Sequence, residues 1–295
     1  MYLVAAPKRI SSILTIIYII LTAQSLLVST HTDSSFLAHQ DEIRAWHERR
    51  ISNLKRDYGW LTLVALDWIK EGANEIPKLG SVTLDEGKVT FRIAQGVVAS
   101  VMGKPFSGGV LRTDHDEGGP DTVTIGSRAF IIIKRGDRFA VRIWDKESRH
   151  RKEFTGIERY PVSAKWRIEA QWLPYDPPKK IKVPSIIPEY LEEYPVPGVA
   201  LLTIDAKQYR LEPVLEEPNG DYFFIFGDKT NGKETYGGGR YLYAKPAKDG
   251  KVIIDFNKAY NPPCAFTEYA TCPLPPPGNR LPISVNAGEK NYEHD

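Results

Sequence analysis

The chain has 295 residues, enough to bury a full core in one large domain or in two tightly joined halves. Its 39 basic and 37 acidic residues are interspersed and leave a net charge of +2, so nothing in the balance points to nucleic acid. The short clusters Arg49-Arg50 and Lys179-Lys180 read as solvated faces, not as a stripe that tracks phosphates.

Residues 1–30 differ in composition from the rest. Lys8 and Arg9 precede an apolar run from Ile13 to Leu21, then Thr22-Ala23-Gln24-Ser25 and Leu26-Leu27-Val28. That is the layout of a secretory signal, with Ala23 and Ser25 at a small-residue cleavage site. Ile10 to Val28 also approaches the length of an uncleaved anchor. Both readings predict an exported protein, periplasmic, extracellular or envelope-anchored, which meets a membrane only through this segment if it is retained. The leader has no cysteine for lipid attachment.

From about Ser35 to Arg56 the spacing turns helical. Ile43, Trp46, Arg50, Ile51 and Leu54 share one side, and Ser34 or Ser35 can cap the start. This predicts a packing helix, with His47 at its surface. After Gly59, short apolar runs alternate with turn chemistry. Strands are expected at Leu61–Trp68, Lys88–Ile93, Thr122–Ile125, Ala129–Lys134, Arg138–Trp144, Trp166–Trp172, Val199–Ile204, Tyr209–Leu211, Tyr222–Phe226 and Lys251–Phe256. Turns are expected at Asp85-Glu86-Gly87-Lys88, Arg135-Gly136-Asp137, Pro218-Asn219-Gly220-Asp221 and Lys248-Asp249-Gly250-Lys251, and the Asn-Gly and Asp-Gly of the last two are the strongest hairpin signals. The expected fold is mostly β, an antiparallel sandwich or barrel with an N-terminal packing helix. Its halves would be residues 31–172 and 189–295, joined by a Pro-rich link over 173–188.

The stretch from Lys251 to Lys290 concentrates both cysteines and 7 prolines. Its opening strand would set Asp255 and Asn257 on one face, away from Val252, Ile254 and Phe256. Asn261-Pro262-Pro263 must leave the strand, and Cys272-Pro273-Leu274-Pro275-Pro276-Pro277 favours polyproline II. Export gives Cys264 and Cys272 an oxidising compartment. A disulfide closing their ring of 9 residues would add about 2.5 to 3 kcal/mol on a loop-entropy model. A free structural pair is the alternative; a nucleophile or metal role lacks a nearby histidine.

DFNKAYNPPCAF, ATCPLPPPGNRLP and AGEK, with the upstream GDKTNGKETYGGGRYL, resemble the bacterial and archaeal family known as domain of unknown function 1684. YGWLTLVALDWIKEGANEI and IIIKRGDRFAVRIWDKESRHRKEFTGIERYPV resemble it too, so the likeness runs from about Ile43 to Lys290. The family carries no established activity, so the resemblance implies kinship without a reaction.

The residues themselves suggest a polar pocket in the C-terminal half. Gly237-Gly238-Gly239 permits close backbone approach and Arg240 supplies a bidentate donor, although a strained turn accounts for the same run. Asp228, Tyr236, Arg240, Asn257, Tyr260, Asn261, Asn279 and Arg280 are candidate ligand-binding residues for a small polar or anionic molecule, or else members of a buried network that satisfies itself. Asp255 and Glu289 are candidate general bases for the rival reading, a hydrolase in which Arg240 or Arg280 stabilises developing negative charge. Asp114-His115-Asp116-Glu117 with Asp121 forms an acidic loop that can hold a cation or simply be solvated. Arg135, Arg142 and Asp145 flank one hairpin, where cross-strand ion pairing is expected. No metal site or cofactor motif is present in the sequence.

Overall fold

The structure is a computed structural model and describes residues 34–292; the expected leader over residues 1–30 lies outside them. The chain divides into two compact units, 1–46 and 47–295, whose boundary falls inside one helix. That helix, α1, covers residues 34–54, close to the periodic window. Within the first unit Asp41 and Arg44 form an exposed pair one turn apart. Within the second, Ile51 and Leu54 pack with Leu61, Phe154, Ile157 and Phe266. Among the described residues no helix is long and apolar enough to cross a membrane.

The second unit is mostly antiparallel β, as the alternating pattern requires. Strands β1 (Leu63–Ile69), β2 (Gly72–Ile76), β3 (Gly80–Asp85), β4 (Lys88–Ile93), β5 (Ala99–Val101), β6 (Lys104–Phe106), β7 (Gly109–Leu111), β8 (Val123–Ile125), β9 (Arg128–Arg135) and β10 (Arg138–Asp145) build two sheets. One runs β1-β10-β9-β8-β5-β6 and the other β2-β3-β4-β7. Both give side chains to one core, in which Val82, Phe91, Phe130, Ile132 and Val141 are buried and the Phe91 and Phe130 rings meet edge to face at 4.9 Å. Period two then fixes the other face of the larger sheet. Ile131, Ile133 and Arg135 of β9, with Ala140, Arg142 and Trp144 of β10, point away from that core. A short helix, α2 (Arg149–Glu153), follows.

The second half holds β11 (Arg167–Pro184), β12 (Leu191–Ile204), β13 (Lys207–Leu211), β14 (Tyr222–Phe226), β15 (Arg240–Ala244) and β16 (Lys251–Asp255). Four of them form the sheet β13-β12-β11-β16, and β14 pairs with β15 as a separate ribbon. The Pro-rich stretch 173–188, expected as a link, instead continues β11. Its ladder with β12 breaks between Pro174 and Lys179 and then resumes. Pro177-Pro178 has no amide donor to give the ladder, so the extra residues bulge out there while both flanks stay paired. The bulge divides the strand's duties: Ile168, Ala170 and Trp172 enter one core, Ile181 and Val183 another. Gly198 is needed at this crossing, because a Cβ would sit 2.5 Å from the Leu173 carbonyl oxygen and 2.6 Å from the Trp172 ring.

The ribbon is a two-faced wall. Phe224, Phe226, Leu242 and Ala244 face the core shared with the four-stranded sheet. Their alternates Phe223, Ile225 and Tyr241 face a second cluster with Val183, Val196 and Cys272. Periodicity alone does not reveal β2, β3, β5, β6, β7 and β15. β5, β6 and β7 are too short to show a period, and β15 opens on a glycine run that reads as a turn. The 85–88 and 135–137 turns do close hairpins, β3 to β4 and β9 to β10. The Asn219-Gly220 turn instead joins strands of different sheets.

Candidate functional site

The polar residues singled out in the sequence do not converge on one pocket. Arg240 and Asp228 form an ion pair of 2.7 Å with both side chains 0% exposed. Arg240 also donates to the carbonyls of Val285, at 2.8 Å, and Ala287. The other Asp228 oxygen accepts from the Thr230 amide and hydroxyl and from Val285 N–H at 2.6–3.2 Å. The group is therefore a buried network that closes on itself, with only Arg240 Nε left without a partner, and not an open pocket. The glycines before it serve packing: Gly239 has φ +93°, and a Cβ there would lie 2.4 Å from Pro275 Cγ and 2.7 Å from the Phe226 carbonyl oxygen.

Asp255 and Asn257 do not share a strand face, because β16 ends at Asp255. Its carboxylate caps a turn of 3-10 helix over Phe256–Lys258 by accepting from Asn257 N–H and Nδ2 at 3.1 and 2.8 Å. Asn257 in turn pins Ser163 through its backbone N–H and carbonyl, at 2.9 and 3.0 Å. Glu289, 1% exposed, accepts from Asn261 N–H at 2.8 Å and pairs with Arg50 Nε at 3.2 Å. Asn261 Nδ2 holds the Lys290 carbonyl. Asn279 bridges the Glu212 backbone to the Ile225 carbonyl, Tyr236 donates to the Cys264 carbonyl, and Arg280 is exposed.

In the acidic loop His115, Asp116 and Glu117 are exposed, while Asp114 and Asp121 are paired with neighbouring arginines. Asp114 binds Arg135 at 2.6 Å and the Lys134 amide at 2.8 Å, and Asp116 takes the Thr113 amide. Asp121 accepts two bonds from the Arg112 guanidinium, at 2.8 and 3.2 Å, which hold its carboxyl below the usual carboxylate range. Among the described residues no cluster of three potential metal ligands appears. At the hairpin, Asp145 pairs with Arg128 directly across the ladder at 3.3 Å and Arg135 with Asp114, while Arg142 takes no part in the expected cross-strand pairing.

The structure holds Cys264 and Cys272 as free thiols and does not show the expected disulfide. The lobe between them is held from elsewhere, by burial of Phe266 and by the Thr267 hydroxyl on the Leu63 carbonyl at 3.0 Å. Within that frame Cys272 Sγ accepts from the Cys264 amide at 3.1 Å. Its hydrogen bond to Cys264 lowers the Cys264 pKa, whereas burial pushes that of Cys272 up.

A cavity of about 440 Å³ opens between the cavity face of the ribbon and the outer face of the six-stranded sheet. From the sequence candidates it recruits Tyr260 and Cys272. The rest of its lining comes from Arg50, Trp60, Arg135, Arg142, Glu192, Tyr194, Glu216, Phe223, Tyr241, Tyr243, Thr271 and the Pro263 and Pro273 rings. Alternation along β14 and β15 delivers Phe223, Tyr241 and Tyr243, and alternation along β9 and β10 delivers Arg135 and Arg142.

The three arginines are not equivalent. Arg50 is committed to Glu289 and to the Asn261 carbonyl, at 2.8 Å, with its guanidinium 4.6 Å from the Tyr260 ring centre. Arg135 is committed to Asp114. Arg142 is only 7% exposed and donates through Nη2 to the Thr271 hydroxyl at 2.9 Å, but its buried Nε has no partner. Among the described residues no carboxylate pairs with it. Burial, then the neighbouring Arg135 charge, brings its pKa down to about 10, still leaving a cation at neutral pH. Burial likewise pushes the hydroxyls of Tyr194, Tyr241, Tyr243 and Tyr260 up, so all four are neutral hydrogen-bonding groups.

Fold and cavity define an antiparallel β protein with an arginine- and tyrosine-lined pocket. Over residues 152–290 the chain matches the sequence profile described as a protein of unknown function (DUF1684). Among solved structures it is similar to an uncharacterized protein of Haloarcula marismortui determined by solution NMR. The identity is 29%, over 48% of this chain and 79% of that chain, with a TM-score of 0.41. A comparison with curated proteins finds no match.

Residue types alone did not single out the cavity. The one signal in the sequence was Arg142 itself, a lone charge in Phe139-Ala-Val-Arg-Ile-Trp144, a strand whose neighbours are apolar on both faces.

Proposed function

We propose that the protein binds a small anionic molecule in this cavity and acts outside the cytoplasm. The observation that carries the binding is Arg142. A buried guanidinium costs several kcal/mol of desolvation, and a native structure normally compensates it with a carboxylate. Here the compensation is a hydroxyl, with Nε left over. An incoming carboxylate or phosphate supplies the missing acceptor. The volume falls within the range of small-molecule sites, and apolar rings around a few convergent polar groups are the usual makeup of one. Asp255 and Glu289 give the hydrolase reading no comparable support, since their oxygens serve protein donors away from the cavity.

The basic-then-apolar leader supports export, and in an oxidising compartment the neighbouring Cys264 and Cys272 close to a disulfide. N-terminal sequencing of protein from fractionated cells tests export: a start near residue 26, or retention in the membrane with the leader intact, supports it, and cytosolic full-length chain refutes it. Thermal shift against a panel of carboxylates and phosphate esters tests binding. Stabilisation by at least one anion, lost in Arg142→Lys because lysine keeps the charge without the fork, is expected. A panel without effect, or a shift that survives the substitution, overturns the proposal.

A further inference from the structure

Resting on the reading that this cavity holds an anion, we infer the class of ligand it takes: a planar ring bearing an anionic group and, elsewhere on the ring, a hydroxyl or ammonium donor. The anionic end follows from buried Arg142 and its hydrogen-bond partner Thr271. The ring follows from the wall. Phe223 and Tyr243 stack at 4.7 Å with 16° between planes, and Tyr260 lies nearly parallel to Tyr243, at 14° with centroids 6.3 Å apart. Tyr243 remains 41% exposed although Phe223 stacks against it. A fixed aromatic plane open to a cavity favours another plane, because stacking adds to what burial of area alone supplies.

The donor end follows from Glu192 and Glu216. Both line the cavity, and among the described residues neither forms an ion pair. Glu216 accepts from the Tyr243 hydroxyl, and the Glu192 charge, after burial, helps to push the pKa of the Tyr194 hydroxyl up. Each carboxylate keeps free lone pairs, and Glu216 is exposed while Arg142 is buried. Two carboxylates would repel a simple anion from the mouth of its own site. A ligand that brings a donor or a cation to them turns the repulsion into attraction and fixes its orientation, anion inward.

Isothermal titration of the purified protein with a graded set of probes tests this: acetate, cyclohexanecarboxylate, benzoate and 4-(aminomethyl)benzoate, with inorganic phosphate and phenyl phosphate in parallel. Affinity is expected to rise from acetate through cyclohexanecarboxylate and benzoate to 4-(aminomethyl)benzoate, and from inorganic to phenyl phosphate. Tyr243→Ala should weaken benzoate or phenyl phosphate on the order of tenfold while leaving acetate and inorganic phosphate unchanged. Glu216→Gln should erase the advantage of the aminomethyl group over benzoate. If the ring-free anions bind in an Arg142-dependent way and as tightly as their aromatic counterparts, the ring inference fails and the anion reading stands. If benzoate is favoured but the aminomethyl group adds nothing, the donor end fails. If no probe shows Arg142-dependent binding, the anion reading itself falls and takes this inference with it.

Discussion

Asp228→Asn is the sharpest test of how the C-terminal half is held together. The substitution keeps size and shape but removes a charge from a pair whose side chains are both 0% exposed. One carboxylate oxygen already serves three donors, the Thr230 amide, the Thr230 hydroxyl and Val285 N–H. An asparagine that preserves those bonds must turn its amide nitrogen toward Arg240 Nη2, setting donor against donor where a 2.7 Å ion pair stood. The guanidinium keeps its bonds to the Val285 and Ala287 carbonyls and its position 5.4 Å from the Phe226 ring centre, but it has lost its counter-charge. Leaving one member of a buried pair alone costs about 3–5 kcal/mol. That is a large share of the roughly 5–15 kcal/mol that holds a typical protein folded. A chain of this size loses about 2–4 °C per kcal/mol, so thermal unfolding should shift down by roughly 6–20 °C, with a matching drop in urea midpoint. Arg240→Met added to the same variant should recover part of the loss, because the stranded cation is gone. A single-variant loss under about 1 kcal/mol would refute the buried-pair reasoning.

Three further outcomes are expected. Folding favours ionised Asp121, whose pKa is depressed by Arg112. Its contribution is therefore present above the unfolded value near about 3.9 and lost as pH falls through the lower folded value; Asp121→Asn should flatten that part of an acid-unfolding profile, and an unchanged profile counts against it. Gly239→Ala places a methyl against Pro275 and the Phe226 carbonyl at φ +93° and should cost on the order of 1–3 kcal/mol from backbone strain alone, measured by urea melts. Mass spectrometry of protein isolated from its own compartment and alkylated without reduction should find Cys264 and Cys272 protected as a bonded pair; labelling of both thiols would sink the oxidised reading.

How far the sequence could be read follows from where each signal lives. Period two made β4, β8, β9, β10, β13 and β14 visible, because alternation over a few residues, or a short apolar run between turns, fits a strand and little else. It showed the start of β11, expected as Trp166–Trp172, but hid its continuation to Pro184, since prolines at 174, 177 and 178 argue locally against a strand and only long-range pairing with β12 overrides them. The clustering of Asp, Asn, Arg and Glu toward the C-terminus was real, but composition does not distinguish a network that closes on itself from one that opens to solvent. Arg240, Asn279 and Asp255 proved to be fastenings for irregular backbone, where polar side chains replace missing ladder bonds. Arg142 lay in a different half of the chain, and its partner Thr271 is 129 positions away.

The cavity and the core share a wall, and this bears on why Arg142 sits where it does. On the ribbon, residues that alternate by one position belong to opposite environments: Leu242 is fully buried in the core while Tyr243 reaches the cavity. The same logic holds on β10, where Val141 and Ile143 enter the sandwich core and Arg142 between them points out, directly across the ladder from Ile131. An apolar residue at 142 would extend the patch formed by Ile131, Ile133 and Ala140 and would avoid the desolvation of a guanidinium. The two other arginines of the cavity have their cost offset by Glu289 and Asp114. Arg142 alone has a hydroxyl and no carboxylate, and on the proposed function an anionic ligand would supply the missing acceptor.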